Sequence, residues 1–463
     1  MAAQGEFMAA LAGALGADCV QSGDAVPARH HTDWSGTAPV APLALVRPRS
    51  TQEVSALLRL CHVHCVPVVP QGGLTGLAGA AVPCAGGVAL SLERMNAIES
   101  VDARAAMLAV QAGATVQAVQ EAALAAGLQF GVDFGARGSA QVGGAIATNA
   151  GGNGVLQFGM MREQVLGLEV VLADGTVLPM LRPMLKNNTG YDLKQWFIGA
   201  EGTLGVVTRA LLRLRPLPRV KATALVALPS FDAALSLLAR LSARFPGALS
   251  AFELMWRDFI TASLAWQNLR EPFDAQYPLA VLVSVDGQEE AGLCEALESA
   301  LDEALEAGEA LDAVIAQSQV QAAALWKIRE ATADLSAHMH PPINFDVGLP
   351  LADIGRFAEA CRTVLSDRWP GHHTVFFGHV GDSNLHLTID GATVGGEAAA
   401  VEALLYEQVA AFGGSVSAEH GIGLHKKPYL GASRTPAELA AMRAVKQALD
   451  PLHLLNPGKV FDL

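Results

Sequence analysis

Apolar positions along this chain switch repeatedly between two periods. In "RPRSTQEVSALLRLCHVHC" the Leu and Val residues follow helical spacing behind a Ser50/Glu53 capping-box pattern, which predicts an amphipathic helix. A β-branched run, "VPVV", follows, then the loop "PQGGLTGLAGAAVP" and the strand-like "GVALSL". "MLAVQAGATVQAVQEAALAAGLQF" reads as a strand leading into an Ala-rich helix closed by Gly127, and "VLGLEVVLADGTVLPM" as a hairpin turning at Asp174-Gly175. "GTLGVVTRALLRLRPL" adds a pair of strands and runs into Pro216 and Pro218, where a domain boundary is expected.

Beyond the boundary, strand then helix recurs twice, in "KATALVALPSFDAALSLLARL" and "LAVLVSVDGQEEAGLCEALESALDEALEAG". Two strands flank "FGHVGDSNLHL", a helix leads into "SAEHGIG", and Thr435-Pro436 with Glu438 caps a last helix before "LNPGKVF". Strands with helices over one face predict an α+β second domain. The expected division is 1–218, 219–420 and a helical tail, 421–463.

Composition narrows the function. At 463 residues, half of them apolar and 16% charged, the chain suits a heavily buried globular enzyme of more than one subdomain. A formal charge of -14 argues against nucleic acid as a partner, since phosphate binding needs a basic footprint. The first residues lack a basic region followed by an unbroken apolar run, and no apolar stretch is long enough to span a bilayer, so a cytoplasmic protein with no transmembrane segment is expected. Six scattered cysteines form no disulfide-like framework. "CHVHC" has thiolate and imidazole donors that suit zinc, but it continues the amphipathic helix, with Cys61 and Cys65 on one face and His62 and His64 pointing elsewhere.

Two glycine-rich segments, "PQGGLTGLAGA" and "GSAQVGGAIATNAGGNG", allow backbone N–H groups to approach an anion closely. Neither has the G-x-G-x-x-G spacing of a dinucleotide fingerprint. With "NNTGYDLKQWFIGAEGTLGVVT" they closely resemble the FAD-binding domain of the vanillyl-alcohol oxidase/p-cresol methylhydroxylase flavoprotein superfamily, specifically its D-2-hydroxyacid dehydrogenase branch. The resemblance runs from "TDWSG" to "NPGKVF" and implies an α+β fold: a two-part FAD-binding domain, a substrate domain with an antiparallel sheet, and a C-terminal tail returning to the flavin. By that resemblance Pro70, Gln71, Gly72, Gly73, Leu74, Thr75 and Gly76 would wrap the FAD pyrophosphate. Gly138, Ser139, Gly143, Gly144, Thr148, Asn149, Gly151 and Gly152 would line the flavin and its phosphates, with Glu201, Gly202, Gly205, Val207 and Asn456 completing the site. Leu74 departs from the small or polar residue that relatives often carry. The first phosphate loop has no histidine for a flavin attachment, so FAD is expected to be noncovalent.

His379 and His386 stand seven positions apart across a Gly-Asp-Ser-Asn turn, and Glu419 adjoins His420. Two imidazoles and a carboxylate suit a divalent ion with positions left open, although two unrelated core histidines have the same spacing. The resemblance makes His379, His386 and Glu419 the ligands of a divalent ion, with Zn2+ favoured over Mn2+, His420 the general base, Asn384 a substrate contact and Arg329 the grip on a substrate carboxylate. The activity it implies is oxidation of a small D-2-hydroxy acid; an electron-transfer flavoprotein, a quinone and oxygen are all chemically open as acceptor, and no separate redox motif chooses among them. In the hydroxyglutarate-specific relatives a hydroxyl residue takes the place of Ala333 and a lysine that of Asn344, so D-lactate or a larger acid with an uncharged tail is expected here. D-2-hydroxyglutarate or glycolate oxidation within a complex, and a non-catalytic flavin-binding subunit, are the alternatives. The low charged fraction permits a buried homodimer interface.

Overall fold

The computed structural model describes residues 2–289 and 292–463, except for the side chains of residues 2, 3 and 333. The chain divides into two compact units, one comprising residues 1–152, 159–217 and 419–463, the other 153–158 and 218–418.

Among its described residues the first unit holds two larger sheets and a two-stranded pairing of Leu128–Gln129 with Arg215–Pro216. β1 (Val20–Gln21), β2 (Ala44–Val46), β3 (Val68–Gln71) and β4 (Val88–Ser91) lie in the order β1-β2-β4-β3, with parallel pairing among the last three. β5 (Ile98–Asp102), β6 (Met107–Gln111), β7 (Val165–Val171), β8 (Val177–Met180) and β9 (Val206–Arg213) form an antiparallel sheet in the order β5-β6-β9-β7-β8. The helix 51–64 forms as its pattern predicts, and Ser50 Oγ accepts from the Glu53 N–H. The reciprocal half of the box is displaced by one residue, because the Glu53 carboxylate accepts from the Arg49 N–H at 2.7 Å. Cys61 is buried in this helix, which pushes its thiol up to about 12 and disfavours the thiolate a metal needs. The β7–β8 hairpin also differs in detail: of the two turn residues only Gly175 takes a positive φ, 84°, while the Asp174 carboxylate accepts from the Thr176 N–H.

The tail closes this unit on itself. Leu455 bridges Val68 of β3 in parallel, and the Asn456 N–H donates to the Val68 carbonyl at 2.8 Å. The helix 436–449 starts with the predicted capping box, Thr435 and Glu438 reciprocally bonded. From that helix the buried Lys446 Nζ donates to the carbonyls of Thr203 (2.7 Å) and Leu455 (2.9 Å) and pairs with Asp450. Asp450 in turn accepts from the N–H groups of Leu454 and Leu455. Burial lowers the Lys446 pKa, so the ammonium depends on these acceptors.

The second unit is built on one antiparallel sheet of seven strands: β10 (Val220–Leu228), β11 (Leu249–Trp256), β12 (Leu279–Gly287), β13 (Asp312–Ile315), β14 (Pro342–Gly348), β15 (Thr374–Gly378) and β16 (Asn384–Asp390). Their order is β13-β10-β12-β11-β15-β16-β14. Leu225 and Ala227 of β10 enter a core with Phe259, Ile260, Leu325 and Ile328, while Ala224 and Val226 on the opposite face are fully buried too. Both faces of the sheet are therefore covered at β10, not one. The unbroken apolar run "ALVAL" carries that information, since a strand covered on one face alternates.

Lys446→Ala would leave Asp450 charged, buried and without its cation. The expected cost is about 3–5 kcal/mol, seen calorimetrically as a fall in melting temperature on the order of 10 °C.

Candidate active site

In the first unit the glycine-rich loops converge. A Cβ on Gly73 would lie 1.9 Å from the Ser139 carbonyl oxygen, and one on Gly72 would lie 3.3 Å from the Gly144 Cα. Backbone meets backbone where the two loops cross, which only glycine permits. Leu74 holds φ 61° with its side chain buried, a conformation that costs on the order of 1 kcal/mol for a non-glycine residue and so depends on its surroundings. Gln71, at the end of β3, is fixed from behind: its amide donates to the carbonyls of His30 and Ala81, and its oxygen meets His30 Nδ1 at 2.8 Å. Asn149 is left-handed at φ 51° and caps the Arg162 N–H, and Thr148 Oγ1 donates to the Gly144 carbonyl.

Glu201 has a structural task that its place in the motif did not suggest. Its carboxylate, 6% exposed, accepts from the N–H groups of Ile422 (2.7 Å) and Gly423 (2.8 Å). Burial pushes its pKa up against those two bonds and the Lys426 charge. Its own carbonyl accepts from the Asn456 amide, which also donates to the Ala80 carbonyl. Gly202 leans on Pro70, where a Cβ would come within 3.1 Å of the ring. The three predicted cofactor segments and the tail thus meet around one loop. Gly205 and Val207 are different: Gly205 makes room for Val170 and Phe197, and Val207 lies in the core. Asn456 Oδ1 is buried without a hydrogen-bond partner, an acceptor suited to a ligand donor. Close backbone approach, left-handed loop residues and a buried free acceptor fit a phosphate-bearing cofactor such as FAD. Glu419 belongs to this unit, with its carboxylate accepting from the Gly152 N–H at 3.0 Å.

The second unit contributes the histidines. His379 follows β15, Ser383 turns the chain at φ 72°, and His386 is the third residue of β16. The bend required to aim both at one point is this left-handed turn. The imidazole centroids are 5.5 Å apart, and each ring offers a nitrogen within 4.8 Å of the other. His386 faces Asp346 of β14 in the strand register, Nδ1 to Oδ1 4.0 Å. The Ala418 N–H donates to the Asp346 carbonyl at 3.3 Å. Imidazole pairs with carboxylates nearby form a donor set that fits a divalent cation.

Arg329, the last residue of the helix 319–329, is buried, with its guanidinium 4.9 Å above the Phe377 ring. Phe377 in turn packs on His386 at 5.2 Å. Arg329 Nε donates to Glu253 Oε2 at 2.9 Å, and Glu253 Oε1 meets His379 Nδ1 at 2.7 Å. Burial pushes the Glu253 carboxyl up, but the neighbouring His379 and Arg329 outweigh it and hold the pKa below the usual carboxylate value. Glu253 escaped sequence reading, although one carboxylate inside "SAFELMW" was a visible signal. Asn384 is 3% exposed and neither atom of its amide has a hydrogen-bond partner, as expected of a group kept for a ligand. Asn344 is exposed, and its Oδ1 accepts from Thr388 Oγ1 at 2.8 Å. The Ala333 side chain lies outside the described residues.

A glycine-walled cofactor cradle and an antiparallel-sheet unit with histidines and a buried arginine define a flavin-dependent oxidoreductase. Residues 42–180 match the model of an FAD binding domain, and residues 217–460 match that of the C-terminal domain of FAD linked oxidases. The chain belongs to the FAD-linked oxidase family and is an FAD-dependent enzyme. It is 41% identical to the D-2-hydroxyglutarate dehydrogenase of Xanthomonas citri pv. viticola, over 93% of this chain and 91% of the relative. It is 38% identical to the mitochondrial D-2-hydroxyglutarate dehydrogenase of Bos taurus, over 93% of this chain and 79% of the relative. Among solved structures, p-cresol methylhydroxylase with substrate bound matches with a TM-score of 0.79 at 18% identity, covering 100% of this chain and 98% of that one. That likeness is one of fold. No described helix is long and apolar enough to cross a membrane.

Gly73→Ala would drive a methyl group into the Ser139 carbonyl. The expected product is protein that purifies without flavin, read from the ratio of absorbance at about 450 nm to that at 280 nm; flavin at the wild-type ratio would refute the crossing of the two loops.

Proposed function

We propose that this enzyme oxidises a D-2-hydroxy acid with a short or uncharged tail to the 2-oxo acid. The observation that carries the reading is the His379–His386 pair, with the buried Arg329 joined to His379 through the Glu253 carboxylate, since cation-ligand chemistry and a carboxylate grip are what a 2-hydroxy acid requires. His379, His386 and Glu419 would hold the cation, Zn2+ or Mn2+, which when bound lowers the pKa of a hydroxyl group coordinated to it. FAD, when bound, accepts the hydride from C2. Arg329 orients the substrate carboxylate through its terminal nitrogens, Asn384 binds a polar group of the substrate, and His420 takes the hydroxyl proton. Because Phe377 lies under the guanidinium, Arg329 is held in one orientation and loses little entropy on binding.

The curated relatives named above favour a second reading, D-2-hydroxyglutarate as the substrate. Position 344 argues for the first reading. It carries a neutral amide bonded to Thr388, two residues along β14 from Asp346 and on the same face as His386, where a distal carboxylate would want a cation.

Under anaerobic conditions D-lactate or a longer unbranched D-2-hydroxy acid should bleach the flavin absorbance faster than D-2-hydroxyglutarate, and L-enantiomers should not bleach it. Chelation should abolish the bleaching and zinc or manganese restore it. A higher kcat/KM for D-2-hydroxyglutarate would decide for the second reading. Pairing Ala333→Ser with Asn344→Lys should raise kcat/KM for D-2-hydroxyglutarate relative to D-lactate by about 10-fold or more, the gain of a charge-assisted contact.

A further inference from the structure

We propose that Glu253 is a positioning residue that fixes the His379 tautomer and the Arg329 fork with one carboxylate. This rests on the reading above, in which His379 ligates a cation and Arg329 grips the substrate.

The arrangement starts in the strand register. β11 and β15 pair antiparallel with Leu254 opposite Gly378 and Met255 opposite Phe377, so continuing the register by one residue sets Glu253 opposite His379. A carboxylate 2% exposed in a strand whose residues are all buried needs strong donors, and it has two. Its oxygens are divided: Oε1 meets His379 Nδ1 at 2.7 Å and Oε2 accepts from Arg329 Nε at 2.9 Å.

Each contact decides what its partner can still do. An imidazole that donates from Nδ1 keeps the lone pair on Nε2, and only that nitrogen can then ligate. A guanidinium bonded through Nε has its two terminal nitrogens left to face a second, planar acceptor such as a carboxylate. The same side chain therefore prepares a cation ligand and an anion anchor.

The bridge also predicts how its loss acts. In Glu253→Gln the side chain has one accepting and one donating end. Arg329 can only donate, so it takes the amide oxygen; the amide NH2 then faces His379, which can accept at Nδ1. The imidazole proton moves to Nε2, and the ligating lone pair is lost while the arginine contact survives.

The test uses the FAD-loaded protein labelled with 15N-histidine and stripped of metal. Ring 15N shifts of His379, identified by their loss in His379→Asn, should report Nδ1–H in the wild type and Nε2–H in Glu253→Gln. Zinc affinity, measured against a competing chelator, should fall by about 10–100-fold in Glu253→Gln, with flavin content and melting temperature near wild type and the KM for the hydroxy acid changed less than kcat. Glu253→Asp should recover part of the zinc affinity. An Nε2–H ring in the wild type, a measurement that does not depend on Glu253→Gln folding, would overturn the proposal, as would an unchanged tautomer and zinc affinity in Glu253→Gln. The expected tautomer switch in a protein whose wild type binds no zinc would uphold the positioning role and refute the ligand reading of His379.

Discussion

A buried carboxylate must have donors, and in a chain with only 16% charged residues that constraint organises the functional parts of both units. Glu201 draws in the N–H groups of Ile422 and Gly423, Asp450 those of Leu454 and Leu455, and Glu169 the hydroxyls of Thr51 and Thr208. In the second unit Glu253 draws in His379 and Arg329. None of these sites is a surface ion pair of marginal value. Glu201, Glu169 and Glu253 tie segments far apart in the chain and Asp450 folds the tail locally, so the acids act as fasteners between loops that apolar packing alone would leave with several arrangements.

The glycines and the acids divide the work. Glycine lets loops approach at Gly73 and Ser139, and at Gly423, where a Cβ would lie 2.1 Å from the Ala78 carbonyl oxygen. The carboxylates then hold what the glycines have brought close. Leu74, left-handed and buried in the same region, shows that the loop geometry is imposed by its surroundings and not by local preference.

Much of this was legible in the sequence where one residue type dictates one local outcome. Gly127 ends its helix with φ 73°, Thr435 and Glu438 cap theirs, and period-two and period-3.6 patterns marked strands and helices. The His379 and His386 turn was visible as a motif, but the left-handed Ser383 that aims it was not, since serine carries no strong preference for that conformation. Contacts between distant segments were the least legible. The commitments of Glu201 to Ile422 and of Glu253 to Arg329 depend on strand order and register, which periodicity does not encode. The cover on both faces of the second sheet at β10 differs from the expected one-sided cover, and its signal is the missing polar alternation at the end of that strand.

The discontinuity of the first unit affects how the chain emerges from the ribosome. Residues 218–418 form one continuous stretch and need only the short segment 153–158 from upstream, so they can complete their core while synthesis proceeds. The flavin cradle cannot. Its β3 waits for Leu455 and its Glu201 for Ile422, more than two hundred residues downstream, and until then the glycine loops lack the backing that sets their shape. Vectorial synthesis therefore leaves the glycine loops without their backing until residues 422–455 have emerged, long after the loops themselves.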